Sequence, residues 1–176
     1  MSENTAPETA ATPGPLAAIA ITVIIVVLIV AWIAISIGAL GMSDTTLVGA
    51  FMFLWYWANN EQMQFNRLVP AMLGSLVGIG IAWLLWYGPA AYGGAGLAGA
   101  LGVLIVSLYL DVTKTVPIAV NTATMLFLTL AAAPLIQLQV DWLELVKSTV
   151  LGGSFFAGAV YGLQKLAARF APGQGQ

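Results

Sequence analysis

The sequence contains neither cysteine nor histidine. Without cysteine there is no disulfide, thiolate metal site or haem attachment, and without histidine the commonest general base is missing. Redox chemistry, a bound metal and a cofactor are therefore not expected. Charge is nearly as scarce. Lys and Arg number five and Asp and Glu seven in 176 residues, 7% together, where an ordinary soluble domain carries about 25%. The five basic residues are scattered, so the clustered cations that release counterions from nucleic acid are absent and no nucleic-acid partner is expected.

What remains is apolar: 60% of the residues are hydrophobic. The expected partner of such a surface is the lipid bilayer, and the expected fold class is an all-α integral membrane protein. Residues 1–15, MSENTAPETAATPGP, carry Glu3, Glu8 and three prolines without an apolar period, and read as a disordered tail. An acidic tail is unlike the basic start of a secretory signal. An uncharged run from Thr9 to Ser43 follows and supplies a first span over 16–40, since about 20 residues cross the hydrocarbon core.

The remaining charges and turn residues mark out five more spans. Asp44 and Glu61 bracket a second, 45–60, which ends in Trp55, Tyr56 and Trp57, aromatics of the interfacial kind. Leu68 to Leu110 is uncharged and too long for one span; Gly88, Pro89 and Gly93 in WYGPAAYGG divide it into 68–87 and 91–110. Pro117 suits the first turn of a fifth span, 115–136. Asp141 and Glu144 have capping-box spacing ahead of a sixth, 142–169, and a flexible C-terminus, 171–176, completes the chain. With six spans both termini share a side. That side holds Arg67, Lys114, Lys165 and Arg169 against Lys147 opposite, so the basic residues predict cytoplasmic termini.

GSLVGIGIAWL begins at Gly74 and a looser copy, GSFFAGAVYGL, begins at Gly153, 79 positions later. Both are small at the first, second, fifth and seventh positions. The copies fall in the third and sixth spans, the last of each half, as two inverted three-helix repeats require. Small residues four apart are also the ordinary means of close helix packing, and on either reading Gly74, Gly78, Gly153 and Ala157 are helix-packing positions.

The start of the second span (Leu47-Val48-Gly49-Ala50-Phe51), the small-residue third span, Val116-Pro117 and Leu151-Gly152-Gly153 with Gly158 together resemble a YcdZ-like family of small bacterial inner-membrane proteins, a domain of unknown function. The resemblance covers the second to sixth spans. It implies a multi-pass protein of the bacterial inner membrane and brings no catalytic residue with it.

The polar residues inside the spans admit two readings. Asn121 with Thr122 and Thr124 lies in the expected fifth span, where an unpartnered amide is costly. It serves either as an interhelical hydrogen bond or, with Ser75 and Ser154, as a substrate-binding site for a small neutral solute. Thr122 and Thr124 can also bond back to their own helix. Asp111 and Lys114 are placed to pair in a loop, and NNEQMQFNR, 59–67, is an amide-rich loop that could gate an inner vestibule. No ionisable residue falls in the middle of a span, which argues against proton pumping. Trp83, Trp86, Tyr87 and Trp142 read as interface anchors, whereas Trp32 lies well inside the first span. The expectation is a channel or transporter for a small neutral or weakly polar solute. The rival is a non-transporting membrane protein that packs with a partner or builds a homo-oligomer. Catalysis is not expected, because acid, base, metal and nucleophile are all missing from the spans.

Overall fold

The computed structural model describes residues 14–43 and 47–170. Most of the expected N-terminal tail (1–13), Asp44 with its two neighbours, and the expected C-terminal extension (171–176) lie outside the described residues. The rest is helical. Helix α1, Pro15–Ile33, continues as a π-helical turn, Ala34–Ala39. Then come α2, Leu47–Asn59; α3, Leu68–Thr113, entered through a short 3-10 turn at Phe65–Arg67; α4, Thr122–Ala131; α5, Pro134–Gln139; and α6, Trp142–Phe170. No strand occurs among the described residues.

Among the described residues three helices, not six, are long and apolar enough to cross a membrane: Ala18–Ala39, Phe65–Thr113 and Trp142–Arg169. This corrects the expected count, and each difference has a local cause. The third and fourth expected spans are joined without a loop. Pro89 stays inside α3, and the break falls on Gly93 alone, whose φ of 59° and ψ of -137° lie where side chains are rarely tolerated. The chain folds back at this one residue, because the backbones of Gly88 and Gly96 touch although eight residues of straight helix would hold them about 12 Å apart. The expected fifth span is shortened to the 10 residues of α4. Pro117 lies in a turn before it, Asn121 caps its start, and Pro134 opens a new helix just after its end. The second is 13 residues long.

Two local expectations also change, one for the aromatic triplet and one for the capping box. A helix turns about 100° per residue, so three successive aromatics cannot all face one interface. Trp55 is 56% exposed while Tyr56 and Trp57 are in the core at 2% and 0%. At the head of α6, Asp141 accepts from the Glu144 amide at 2.9 Å as a cap should. The Glu144 carboxylate instead takes the Ser43 hydroxyl at 2.7 Å and its amide at 3.1 Å.

Packing is pairwise. Helix α2 lies on α6, with Gly49 against Leu145 and Thr149, and Phe53 against Gly153. Helix α4 lies on α3, with Asn121 against Gly74, and Thr124, Phe127 and Leu128 against Gly78. In both pairs contacts advance together along the two chains, so the partners run parallel. Between the pairs, α3 meets α6 in antiparallel fashion: Met72 touches Gly153, and the Trp86 and Trp142 rings stand 5.9 Å apart. In the first arm of α3, Ala71, Gly74, Ser75, Gly78, Ile79 and Ala82 are buried, as is Ile81. On α6 Leu145, Ser148, Thr149, Gly152, Gly153 and Phe156, each 74 positions later, are buried as well, with Ala157 beside them. The same spacing relates Gly49, Ala50, Phe53 and Trp57 of α2 to Ala123, Thr124, Phe127 and Ala131 of α4, all buried. The helices therefore correspond at 74 positions, whereas the two GS segments stand 79 apart.

Helix α1 touches the rest mainly through Trp32, which packs on Phe155 and Phe156 at 5.6 and 6.3 Å between ring centres. Its other large apolar residues, from Ile19 to Val30, are largely exposed, a surface suited to hydrocarbon and not to water.

Gly78 and Gly152 occupy corresponding close approaches, on Thr124 and on Ala50. Replacing either by leucine overpacks the contact and should cost about 1–3 kcal/mol, read as a lower Tm in detergent. Gly99→Leu, at a position with nothing within 4 Å, should leave Tm unchanged. Equal melting of all three would show that these contacts do not hold the pairs together.

Candidate functional site

In a chain this apolar, a solute site has to be assembled from a handful of polar groups, so the partner of each one decides what remains for a ligand. Asn121 is fully engaged. Its Nδ2 donates to the carbonyls of Pro70 and Pro117, both at 3.0 Å, and its Oδ1 accepts from the Ala123 amide at 2.9 Å. Its own amide donates to Thr124 Oγ1 at 3.1 Å, which closes a capping box, and that hydroxyl donates to the Ala119 carbonyl. The residue therefore sits at the start of a helix and not within one. Gly74 is what admits it, since a Cβ there would collide with the amide.

Ser75 is completely buried and donates to the Ala71 carbonyl one turn back, at 2.8 Å. Thr149, its counterpart 74 positions on, does the same to Leu145 at 2.9 Å. Ser154 is exposed on α6 and does not join them. The three residues expected to hold a solute are thus not brought together: one caps a helix, one bonds its own helix, and one faces outward. The four packing positions are all buried at helix contacts or in the core, Gly74 and Gly78 against α4, Gly153 against Phe53 and Met72, and Ala157 in the core.

Other polar groups gather where sequence reasoning did not look. At the end of the bundle where α3 and α4 begin, the buried Tyr56 phenol donates to Glu61 Oε1 at 2.8 Å and also faces Thr122 and Ala123 at the start of α4. Arg67 Nε lies 3.9 Å from the other Glu61 oxygen, and Trp57 Nε1 donates to the Gln64 carbonyl at 3.0 Å. The 59–67 loop is therefore held to the end of α2, whose Tyr56 and Trp57 side chains reach Glu61 and the Gln64 carbonyl. Lys114 pairs with Asp111 at 2.8 Å. The signal for Tyr56 was present, an acid four positions beyond an aromatic triplet, yet the spacing of five residues from Tyr56 to Glu61 matches no helical neighbour rule. Ser36 and Ser148 are also completely buried, and Ser148 Oγ accepts from the Ala50 amide at 3.1 Å.

Several hollows between the helices are lined mainly by apolar side chains. One of about 290 Å³ lies between α1, α2 and α6, lined by Ile21, Ile25, Leu28, Leu54 and Phe156 with Gln164 at its edge. Two others correspond to each other. Phe51, Leu54, Trp55, Ala58 and Asn59 of α2 face Ile25 and Ile29, while Met125, Leu128, Thr129, Ala132 and Ala133, each 74 positions later, face Leu104 and Leu108. No cluster of three metal-ligating side chains occurs among the described residues.

As a helix cap and an α3–α4 link, Asn121 should be worth about 1–2 kcal/mol. Asn121→Leu should lower Tm markedly, whereas Asn121→Ser, which can still cap, should recover part of the loss. If Asn121→Leu melts like the unaltered chain, these hydrogen bonds do not hold α4 in place. No protein-family model matches the chain, and no curated protein or solved structure matches it either, so what it does has to be read from its own geometry.

Proposed function

We propose that the chain is a protein of the bacterial inner membrane, both termini cytoplasmic, built from two inverted three-helix repeats in which the short α2 and α4 cross beside their long partners, and conducting a small neutral or weakly polar solute between the repeats. In this reading α1, α2 and the first arm of α3 (68–92) form one repeat. The second arm (94–113), α4 and α6 form the other, with α5 in the connection. The observation that carries the reading is the exchange of partners at one spacing of 74 positions: α2 of the first half lies on α6 of the second, and α4 of the second lies on α3 of the first. Repeats so related by a two-fold axis in the membrane plane place their solute near the midplane, where the halves meet. Here that place is the antiparallel α3–α6 seam.

Several facts support the proposal. Arg67 and Lys165 share the end at which Phe65 meets Tyr161, as cytoplasmic ends require. Membership of the YcdZ-like family that the sequence resembles is part of this proposal. Ile79, Gly80, Trp83 and Val146, which line a groove along the seam, are uncharged, so the favoured solute is uncharged as well. The two tightly packed pairs act as rigid bodies that part along the seam.

Because the sequence has no cysteine, engineered cysteines report cleanly. Proteoliposomes containing Ile79→Cys/Val146→Cys should pass urea, glycerol or formamide faster than protein-free vesicles in stopped-flow shrinkage. Bridging the thiols with a short bifunctional reagent should abolish that excess, and a cleavable bridge should restore it on reduction. Reporter fusions at Gln176 and after Pro89 should give opposite signals. Flux equal to bare vesicles for every solute, or two fusions reporting one side, overturns the reading.

A further inference from the structure

Trp32 is the residue whose chemistry the packing leaves unfinished. Indole Nε1–H is a donor only. Trp32 is 2% exposed, and its Nε1 is the one buried side-chain nitrogen or oxygen among the described residues without a hydrogen-bond partner. Tryptophan in membrane proteins belongs at the interface, where the ring is buried and the N–H reaches water. Trp32 lies inside the apolar stretch Ala18–Ala39 instead.

The surroundings locate the unpaired edge. A Cβ on Gly152 would come within 3.1 Å of Trp32 Cζ2, which is joined to the carbon that bears Nε1. The N–H edge of the ring therefore adjoins α6 where the missing side chain lets α1 approach. Ser148 lies one turn earlier on that face of α6 and is completely buried. Its Oγ accepts from the Ala50 amide, and Ala50 also touches Gly152, so Trp32, Gly152, Ala50 and Ser148 form one neighbourhood. Having accepted that bond, the Ser148 hydroxyl still carries a hydrogen to donate. Ser36, one turn beyond Trp32, donates its hydroxyl to the Ile33 carbonyl at 3.1 Å and does not accept from the indole, whose Nε1 has no partner. Directly after Trp32 the helix changes to its π form, a local widening that recurs at functional sites. Two donors, an indole N–H and a serine O–H, thus flank the α1–α6 crossing, and neither has a protein acceptor.

We propose that the α1–α6 crossing is a binding point for one small uncharged molecule whose acceptor oxygen is held between the Trp32 indole N–H and the Ser148 hydroxyl. None of Trp32, Gly152, Ala50 and Ser148 is ionisable and none supplies a cation, which disfavours an anion despite the two donors, since an unpaired charge there would be desolvated without compensation. An amide carbonyl and a water molecule share the required chemistry. The site lies away from the α3–α6 seam, so it stands or falls independently of solute conduction.

The test uses the full chain in lipid nanodiscs with indole-15N tryptophan. Trp32→Phe identifies the Trp32 resonance among the six tryptophans; if that variant does not fold, replacing the other five one at a time identifies it by elimination. Titration with formamide should move the Trp32 N–H signal downfield to saturation, and Ser148→Ala should weaken that response roughly three- to tenfold, as expected for one lost hydrogen bond. A signal already downfield without formamide, with magnetisation transfer to water that Ser148→Ala reduces, supports the same site with water as its occupant. A signal at the upfield position of an N–H with no oxygen partner, unmoved by formamide and by Ser148→Ala, overturns the proposal.

Discussion

Everything in this fold depends on how closely backbones approach at a few glycines. In hydrocarbon there is no hydrophobic force to draw helices together, so association rests on van der Waals contact and on hydrogen bonds. Gly78 lets α4 settle against the α3 backbone at Thr124 and Leu128, and Gly152 lets α2 settle against α6 at Ala50. Gly49 and Gly74 extend the two contacts at their starts, against Thr149 and Asn121. The remaining geometry follows from these approaches. Once each short helix is fixed to a long one, what remains is the antiparallel meeting of the two long helices.

Polar groups obey the same economy of contact. Ser75 and Thr149 return their hydroxyls to their own helices, Asn121 completes the head of α4, and Tyr56 is tied to Glu61. Each satisfies a donor or acceptor that hydrocarbon would leave bare. The indole of Trp32 departs from this rule, which is why it draws attention to the α1–α6 crossing.

The sequence made the class of object legible and much of the internal wiring illegible. Scarce charge and long apolar runs are properties of composition, and they lead directly to membrane helices. The starts of α3 and α6 were readable because Arg67 and Asp141 stand immediately before them. The head of α4 was not read, although Asn121 followed three residues later by Thr124 is a capping pattern; the proline at 117 pointed to an earlier start. The correspondence at 74 positions was hidden for a different reason. Ala71 answers Leu145, Gly74 answers Ser148 and Ala82 answers Phe156, so burial is kept while size and chemistry are not. Repeated letters picked out the GS segments at 79, where the sequence is alike and the partners differ. Which member of the aromatic triplet turns inward depends on tertiary partners that composition does not contain.

The exchange of partners also bears on how the protein is made. Helix α2 emerges early from the ribosome, yet the surface that receives Gly49, Ala50 and Phe53 belongs to α6, the last helix of the described chain. Helix α4 finds α3 already in place when it appears. Assembly is therefore asymmetric in time even though the packing is balanced in space. One pair closes during synthesis, while α2 must wait in the bilayer, its glycine face open, until the far end of the chain arrives.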